Sequence, residues 1–498
     1  MSTASPLAVN KAGFRILNRI FSFPVMIAGL LTMLACLTVR GRFNDPDLWW
    51  HLKMGEIIWT THAIPTTDIF SFTTHHHSWI PHEWLAQVTI FAAYHWGGFS
   101  GLMLWLCFFA SALFIAGYAL CTFYSGNAKV SFLGGLVVFV FATVGLSIRP
   151  QVIGYLLLIV ELLLIQLGRT RDTRWFWALP PLFAVWINCH GSVSLGFVAA
   201  GVFLVCSFLH FRLGSLVCEH WHSRTRRSFI VALILSAAAL FVNPVGIKQI
   251  LYPLDALINQ PLGLSTVREW QPLQLNSERG VLLLIVLACI FLLVIVRKSE
   301  LYFEELLLLT VAVWLAGSHD RMVFVFGILA APIFSRMLSK SWEGYDPATD
   351  RIWPNAVLIV LSLVIAFLAF PGASNMAAQI EETSPVGAVN FIKSHHLSGP
   401  MLNDYTDGGY LIWAMPEHPV FVDGRGDVYE WTGVLQEFGA WATLQADPKA
   451  LLDKYDVQFC LLEVNAPMAN VLPLMPNWKK VYSDHLSVIF VRLPSPTP

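Results

Sequence analysis

The sequence predicts a polytopic α-helical membrane protein that carries a small extracytoplasmic α/β domain at its C-terminus. Two properties of its 498 residues predict the membrane class: 56% are hydrophobic and only 13% are charged, a balance that soluble domains do not have. The apolar residues also gather in runs of about 20 residues, the length at which a helix crosses a bilayer. After residue 370 the apolar runs become short and alternate with turn residues, which predicts the α/β domain.

Eleven apolar segments are candidates for membrane-spanning helices, so we expect a bundle of about 11 spans. The segment at residues 175–189 is short for a span. The candidate segments are residues 22–39, 99–123, 130–147, 151–168, 175–189, 192–211, 228–246, 280–296, 301–317, 322–338 and 353–370.

Basic residues predict a cytoplasmic N-terminus, because cytoplasmic loops of membrane proteins carry an excess of Lys and Arg. With this orientation the cytoplasmic side holds sixteen basic residues, whereas the loops between spans on the other side, without the tail, hold eight. No small-residue cleavage site follows the first segment in "MLACLTVRGRF", so we expect it to remain as an anchor. An odd number of spans then places the tail, residues 371–498, outside the membrane as a domain separate from the transmembrane domain, residues 1–370.

The first external loop, residues 40–98, is too polar to span the membrane and too aromatic to be a free linker. In "DLWWHLKMGEIIWTTH" one helical face is apolar and another is polar, the pattern of an interfacial helix. The apolar face has Trp50, Met54, Ile57 and Ile58, and the polar face has Lys53, Glu56 and Thr60. The "IP" at residues 64 and 65 ends this helix. A second short helix is predicted over residues 82–96, and the "GG" that follows separates it from the next span.

Carboxylates are the most informative residues of this loop. Asp45, Asp47 and Glu83 stand where the two interfacial helices meet the first span, and charges close to hydrocarbon are costly unless they are paired or functional. The alternative is that Asp45 or Asp47 serves as the N-cap of the following helix. Both interpretations remain open at this point.

The residues "DPDLWWHLKMGEIIWTTHAIPTTDIFSFT", followed by "WIPHEWL", resemble a group of bacterial proteins in the GT-C class of membrane glycosyltransferases. This class includes the dolichyl-phosphate-mannose mannosyltransferase and aminoarabinose transferase families. The resemblance implies a GT-C-like membrane domain in the bacterial inner membrane and transfer of a sugar from a polyprenyl-phosphate carrier within the cell envelope. In the family an acidic pair supplies the catalytic acid, whereas Pro46 separates the two Asp residues here, so Asp45 and Asp47 both remain catalytic candidates.

Seven of the sixteen histidines lie in the first external loop, including the run at residues 75–77. One interpretation is that histidine is simply favourable at the membrane interface. The other is a metal site, because imidazole and carboxylate groups are ligands for divalent ions. Some relatives bind a metal and others do not, so Mg²⁺ or Mn²⁺ held by Asp45, Asp47 and His82 is the cofactor hypothesis.

Later segments place further polar groups at span ends on the external side. A single Arg at a span end is often an anchor that reaches the interface, but several together suggest contacts to an anionic phosphate, for which Arg is well suited. The candidates for substrate binding, including those of the first loop, are His51, His82, Glu83, Arg149, Asn188, His190, Arg268, Glu269 and Arg321.

The tail has the pattern of alternating strands and helices. Helices are predicted at "VGAVNFIKSHH" and "PKALLDKYD", and strands at "GPMLND", "HPVFVDG", "VQFCLLEV" and "LSVIFVRL". Polar residues at the strand ends are expected to be exposed and could bind an acceptor, although Asp-Gly pairs also form turns. These polar residues are Asp404, Asp407, Asp423, Arg425 and Asp427.

The function that these observations favour is transfer of a sugar, with inversion, from a polyprenyl-phosphate donor to a glycan, lipid or protein acceptor outside the membrane. Asp45 or Asp47 would be the general base, and arginines would stabilise the leaving phosphate. The alternative is a transporter or flippase of a lipid-linked or polar solute. A third possibility is a non-catalytic assembly protein, and a nucleic-acid partner is not expected because the net charge is −1.

Overall fold

The structure is a computed structural model that describes residues 17–259, 262 and 268–494. The part up to residue 370 is mostly helical, and each of the eleven candidate segments contains a helix. The helices of this part are, in chain order, α1 (Phe23–Val39), α2 (Asp47–Thr61), α3 (Trp84–Ser125), α4 (Ala128–Ala142), α5 (Gln151–Thr170), α6 (Leu179–Cys189), α7 (Val193–Cys206), α8 (Ser223–Ala239), α9 (Ile247–Asn259), α10 (Glu278–Arg297), α11 (Phe303–Ser318), α12 (Val323–Ser339) and α13 (Ile352–Ala369).

Within the described residues, six helices are long and apolar enough to cross a membrane, which indicates a membrane protein. They are Leu17–Val39, Trp84–Ser125, Gln151–Thr170, Glu278–Arg297, Asp320–Ser339 and Ile352–Ala369. Helix α6 has 11 residues and measures only about 16 Å, because a 3₁₀ turn over Thr173–Ala178 occupies the first part of the predicted segment. The total of eleven crossings therefore stays a prediction.

The two helices of the first loop, residues 40–98, pack directly against each other. Helix α2 buries Trp50, Met54 and Ile58 of the predicted apolar face, but Ile57 is half-buried and the other faces of its first turns are buried as well. A Cβ added at Gly55 would collide with the backbone carbonyl of Gln87 on α3. Helix α3 is interrupted at Gly98, whose φ of 57° and ψ of −143° are not helical. The predicted break between a short interfacial helix and the following span is thus confirmed, and a glycine provides it because positive φ is strained for other residues.

The helix bundle forms one continuous packed core. Helix α1 packs against α3 and α13, and α12 packs against α3, α4 and α11. Small residues let these helices approach closely: Gly134 of α4, for example, lies against Ser335 of α12, which is the usual means of helix association in membranes.

A three-stranded sheet, which the sequence did not predict, lies between α7 and α11 in the chain. Its strands are β1 (Phe211–Leu213), β2 (Leu216–Cys218) and β3 (Leu301–Tyr302). The first pair is antiparallel, with Arg212 opposite Val217, and the second is parallel, with Leu216 opposite Leu301. The chain therefore leaves α7 at Cys206 rather than continuing as helix to residue 211.

The tail contains short helices and a four-stranded sheet. The helices are α14 (Ala373–Thr383), α15 (Val386–Ser394), α16 (Gly408–Ala414), α17 (Gly426–Trp431), α18 (Val434–Ala442), α19 (Pro448–Lys454) and α20 (Pro467–Val471). The strands are β4 (Met401–Asn403), β5 (Phe459–Glu463), β6 (Trp478–Ser483) and β7 (Ser487–Arg492), in the spatial order β4-β5-β7-β6. Strands β4 and β5 are parallel, and the other two pairings are antiparallel.

The tail sheet confirms three of the four predicted strands and corrects the fourth. Residues 418–424 were expected to form a strand of this sheet, but they bond instead to the first external loop: Val420 donates to the carbonyl of Phe70 and accepts from Phe72. Strand β6 escaped prediction because it begins with one buried Trp and continues with two lysines, a composition typical of a protected edge strand. The first loop and the tail are therefore joined through their backbones.

Candidate active site

The acidic pair of the first loop lies against an arginine from the bundle. Arg149, in the turn between α4 and α5, places Nε 2.5 Å from Asp45 Oδ2 and Nη2 3.0 Å from Asp47 Oδ2. Its Nη1 lies 3.3 Å from Glu269 Oε2. Asp45 also accepts the backbone N–H of Asp47 at the start of α2. Pro46 is the N-cap of α2 and no side chain caps the helix, so neither aspartate takes the predicted N-cap position, although Asp45 contacts the first turn and lies in the charged site.

Burial and charge oppose each other in this cluster. Burial raises the pKa of Asp47 and Arg149 opposes that rise. Burial disfavours the charge of Arg149, but the carboxylates of Asp45, Asp47 and Glu269 outweigh it and hold the Arg149 pKa well above its usual value. The guanidinium is therefore a permanent cation shared among three carboxylates.

A second arginine extends this chain of charges. Arg321, at the start of α12, donates from Nη2 to Gln151 Oε1 and places Nη1 3.6 Å from Glu269 Oε2. Its guanidinium also lies over the ring of Trp270, 5.3 Å from the centroid. Glu269 therefore connects Arg149 and Arg321. Arg268 was predicted for the same group, and its side chain lies outside the described residues.

Glu83 is the centre of a group of three histidines. Its Oε1 lies 3.4 Å from Nε2 of His190 and 3.8 Å from Nε2 of His82, and its Oε2 lies 3.8 Å from Nε2 of His51. Gln87 Nε2 lies 3.1 Å from Nδ1 of His51. We call Glu83, His51, His82 and His190 the Glu83 cluster.

Burial sets the protonation states of the Glu83 cluster. It raises the pKa of Glu83 to about 8 and lowers that of His82 to about 4, and it lowers the pKa of His51 and His190 well below the usual value. At neutral pH the cluster is therefore uncharged: a protonated carboxyl group among neutral imidazoles. Such groups can both donate and accept hydrogen bonds.

This assignment predicts how Glu83 affects stability at different pH values. The folded protein keeps the Glu83 proton up to about pH 8, whereas the unfolded chain loses it near pH 4.5, so ionisable Glu83 lowers stability progressively as the pH rises between these values. The Glu83→Gln variant lacks this term. We expect its melting temperature, relative to that of the wild type in detergent, to rise from about pH 5 to about pH 8 and then to level off. A difference that is flat across this range would contradict the assignment.

Several neighbours hold the Glu83 cluster in place, and the sequence did not single them out. Helix α9 contributes Gln249, which donates to the backbone carbonyls of His82 and Ile187, and Tyr252, whose ring stacks on His82 at 3.9 Å. Tyr252 also donates to Asp427 Oδ2 of the tail at 3.2 Å. The signal that could have found them is the amphipathic pattern of residues 247–259, a stretch that was assigned to no element.

Asn188 lies at the same end of the bundle but has structural contacts. Its Oδ1 accepts from Nε1 of Trp84 at 2.7 Å, and its Nδ2 donates to the carbonyls of Ala184 and Val242. These bonds join α3, α6 and the end of α8. A substrate contact by Asn188 would have to replace one of them, so its role in binding stays a prediction.

The tail residues that were expected to be exposed are largely buried. Asp423 is completely buried and Arg425 is 3% exposed. Arg425 donates to Asp423 and, at 2.6 Å, to Asp68 Oδ1 of the first loop. The rings of Phe70 and Trp79 lie over the guanidinium, with centroids 4.9 and 4.8 Å away. This group, which we call the Arg425 clasp, joins the loop to the tail. For Asp423 and Arg425 the expectation of exposure is wrong, because each has a buried partner of opposite charge.

The metal hypothesis for Asp45, Asp47 and His82 has little support in the geometry. In the described part of the chain, one group of three potential ligands has all its ligand atoms within 4.8 Å of one another: Cys206, Cys218 and Glu304, away from this site. Asp45 and Asp47 are bound to Arg149 instead. Asp45, Asp47 and His82 as arranged do not fit a shared metal ion, and the proposed mechanism uses the protein's own side chains.

These features define the fold: a helical membrane bundle whose first loop forms two helices that pack against each other, and whose C-terminal tail bonds to that loop. Two structures of ArnT from Cupriavidus metallidurans are similar to this chain. The one bound to undecaprenyl phosphate has a TM-score of 0.53 and 12% identity over 95% of this chain and 98% of that chain. The apo state has a TM-score of 0.51 and 13% identity over 97% and 98%.

The Archaeoglobus fulgidus oligosaccharyltransferase in its apo form is also similar, with a TM-score of 0.50 and 12% identity over 87% of this chain and 69% of that chain. No protein-family model matches the sequence, and comparison with curated proteins gave no match. At these identities the likeness establishes the fold, which agrees with the expected GT-C-like architecture. The roles of the individual site residues stay predictions.

Proposed function

We propose that the chain transfers a sugar, with inversion, from a polyprenyl-phosphate carrier to an acceptor hydroxyl on the outer side of the bacterial inner membrane. The observation that carries this proposal is the contact of Asp45 and Asp47 with Arg149 at the end of the bundle. A carboxylate that can take a proton and a permanent cation that can bind phosphate stand side by side. The N-terminus would be cytoplasmic, and the tail, residues 371–498, would be an extracytoplasmic domain over the site.

In this mechanism the phosphate of the carrier binds Arg149 and Arg321. Arginine forms planar, charge-assisted hydrogen bonds with phosphate. In this structure Glu269 Oε2 contacts the Nη1 atoms of both Arg149 and Arg321. Glu269 is also the most exposed member of the charge chain, with 46% of its side chain accessible. We infer that Glu269 moves away when phosphate enters, which leaves both arginines to stabilise the negative charge that grows on the leaving group.

The chemical step requires one general base. A carboxylate of the acidic pair removes the proton of the acceptor hydroxyl, the hydroxyl oxygen forms a bond to the anomeric carbon, and the bond between that carbon and the phosphate oxygen breaks. The electron pair of that bond leaves with the phosphate. His51, His82, Glu83, Asn188, His190 and Arg268 are proposed to position the sugar.

Binding of the carrier tests the role of Arg149. We expect Arg149→Gln to weaken binding of undecaprenyl phosphate in detergent by roughly ten- to a hundredfold, the usual loss for a charge-assisted hydrogen bond. Two carboxylates left without their cation add repulsion in the same direction. The binding constant can be measured by the quenching of tryptophan fluorescence or by calorimetry.

The matched control for that experiment is Arg174→Gln. Arg174 is 89% exposed, has a weak contact to Asp172 at 3.5 Å and lies beyond the far end of α5, the helix that begins just after Arg149. Its replacement should leave carrier binding unchanged. If both variants bound the carrier like the wild type, phosphate recognition by the Asp45 and Arg149 group would be excluded.

Transport of a lipid-linked or polar solute is the second candidate, and one observation favours it. Glu161, in the middle of α5, is fully buried, and neither of its carboxyl oxygens has a hydrogen-bond partner within the described residues. Charged residues at this depth often mark transport paths. The measurement is movement of labelled undecaprenyl-phosphate sugar across the bilayer of reconstituted vesicles. Movement that is lost in Glu161→Gln and kept in Asp45→Asn would favour transport.

A further inference from the structure

A cleft of about 340 Å³ lies between the end of α1 and the tail. One wall is the segment that links α1 to α2 and includes Asn44 and Asp45; the other walls come from the tail. Volumes of this size are typical of small-ligand sites. The tail residues that line the cleft are Thr383, Ser384, Pro385, Thr406, Asp407, Tyr410, Glu463, Val464, Asn465, His485, Leu486 and Ser487.

The cleft reaches the acidic pair through Asp45. Asp45 lines the cleft and also contacts Arg149, so it stands between the cleft and the proposed phosphate site. Asp47 does not line the cleft: its Oδ1 accepts from Nε1 of Trp50 at 3.1 Å and lies beside Gly424. Asp45, unlike Asp47, is therefore placed to contact a ligand in the cleft while it lies beside the proposed phosphate site at Arg149.

The cleft also contains a buried polar group that has no partner. Asp407 is only 9% exposed. Its Oδ2 is buried and makes no hydrogen bond within the described residues. A buried polar atom without a partner is costly. Burial raises the pKa of Asp407 well above its usual value, so this carboxyl group is available both to donate and to accept a hydrogen bond. Asp407 lines the cleft, so a polar ligand bound there would lie beside a carboxyl group that lacks a full set of partners.

The lining residues indicate the chemistry of that ligand. Three carboxyl groups line the cleft, from Asp45, Asp407 and Glu463, and no Lys or Arg does so. Amide and hydroxyl side chains complete the walls, among them Asn465 and Thr406, which donates to Glu463 at 2.9 Å. Among the described residues the cleft therefore offers neither a guanidinium nor an ammonium group to bind a phosphorylated or carboxylated ligand, whereas the hydroxyl groups of a neutral sugar would find hydrogen-bond donors and acceptors.

We propose that this cleft binds the acceptor as a neutral, hydroxyl-rich glycan and presents one of its hydroxyls to Asp45. The inference rests on the proposed function and specifies its acceptor class and its base. The hydroxyl proton passes to Asp45, the hydroxyl oxygen bonds to the anomeric carbon of the donor sugar, and the phosphate leaves with the electron pair of the broken carbon–oxygen bond. Asp407 and Glu463 hold neighbouring hydroxyls of the acceptor.

The test uses the full-length protein in detergent and two independent binding measurements. The first is an array of neutral, phosphorylated and uronic-acid glycans; the second is binding of undecaprenyl phosphate. We expect wild-type protein to retain neutral glycans only, and Asp407→Leu to lower that binding by about tenfold while carrier binding stays unchanged. Asp407→Asn, which keeps the side-chain shape, serves as a second variant in case the leucine disturbs folding.

A matched control and the opposing outcomes complete the test. Glu437→Gln removes an exposed tail carboxylate that pairs with Lys454 and should change neither measurement. Three outcomes would contradict the proposal that the cleft binds a neutral glycan. They are wild-type binding of anionic glycans as tightly as neutral ones, no wild-type binding of a neutral glycan, and binding of neutral glycans by both Asp407 variants at the wild-type level. If the wild type did not bind undecaprenyl phosphate, the proposed function would be contradicted instead. Failure of the acceptor cleft and failure of the proposed function are therefore distinguishable.

Discussion

Replacement of Asp45 by asparagine is expected to lower sugar transfer by roughly 10²- to 10⁴-fold, the usual contribution of a general base. Asparagine keeps the shape of the side chain and can still accept the backbone N–H of Asp47, so the start of α2 should keep this hydrogen bond. It cannot take a proton from the acceptor. The measurement is transfer of labelled sugar from polyprenyl phosphate to cell-envelope material, with the amount of folded protein determined in parallel.

The same variant should keep its affinity for the carrier. Arg149 loses one of three carboxylate partners and retains Asp47 and Glu269, so a competing anion binds at least as well as before. Loss of transfer together with retained carrier binding separates a base from a residue that merely positions Arg149, since the latter would reduce both quantities.

Asp47→Asn is the matched comparison for this experiment. Asp47 contacts Arg149 and Trp50 but lies away from the cleft, so its amide variant should lose less than tenfold of the transfer rate. Transfer at the wild-type level by Asp45→Asn, or a larger loss in Asp47→Asn, would refute the assignment of Asp45 as the base.

Replacement of Arg425 by methionine is expected to destabilise the folded protein by about 3–5 kcal/mol, the usual result of removing one partner of a buried ion pair. Asp68 and Asp423 are both fully buried, and each loses the cation that compensates its charge. The contact of the guanidinium with the rings of Phe70 and Trp79 is lost as well. Because the clasp joins the first loop to the tail, the tail should become sensitive to protease at lower temperature.

Two further variants make this prediction specific. Arg212→Met removes an exposed ion pair with Glu300 and should change stability by about 1 kcal/mol at most. Adding Asp68→Asn and Asp423→Asn to Arg425→Met should recover part of the loss, because buried charge is then no longer left without a partner. A single Arg425→Met variant as stable as Arg212→Met would show that the clasp does not hold the tail on the loop.

The helices were accessible to sequence reasoning because they depend on local patterns. Runs of apolar residues predicted eleven segments, and each contains a helix. The pair Gly97–Gly98 predicted the break in α3 that the structure shows at Gly98. The spacing of apolar residues predicted the burial of Trp50, Met54 and Ile58 on α2, but not that the tail and α3 bury its other faces too. Prediction failed where the pattern was weak, as in β6 with its two lysines, or where a strand-like segment found another partner, as at Val420.

The site was accessible only in part. Membrane topology predicted that polar groups from separate segments would share one end of the bundle, and the structure brings Asp45, Asp47, Arg149, Glu269 and Arg321 into one chain of contacts. Their pairing could not be predicted, because each contact joins residues that are far apart in the chain. Tyr252 was missed for the same reason, since its partners His82 and Asp427 lie in the first loop and the tail.

The sequence by itself determined that this chain is a helical membrane protein whose C-terminal tail has a different composition, because hydrophobic transfer into the bilayer depends on the composition of each segment and not on its neighbours. Only the tertiary structure decided which charges are paired and buried. The energy of a charge depends on how deeply it is buried and on what lies within a few ångströms of it. That is why Asp423 and Arg425, which looked exposed in sequence, form a buried clasp, and why Asp45 rather than Asp47 faces the cleft.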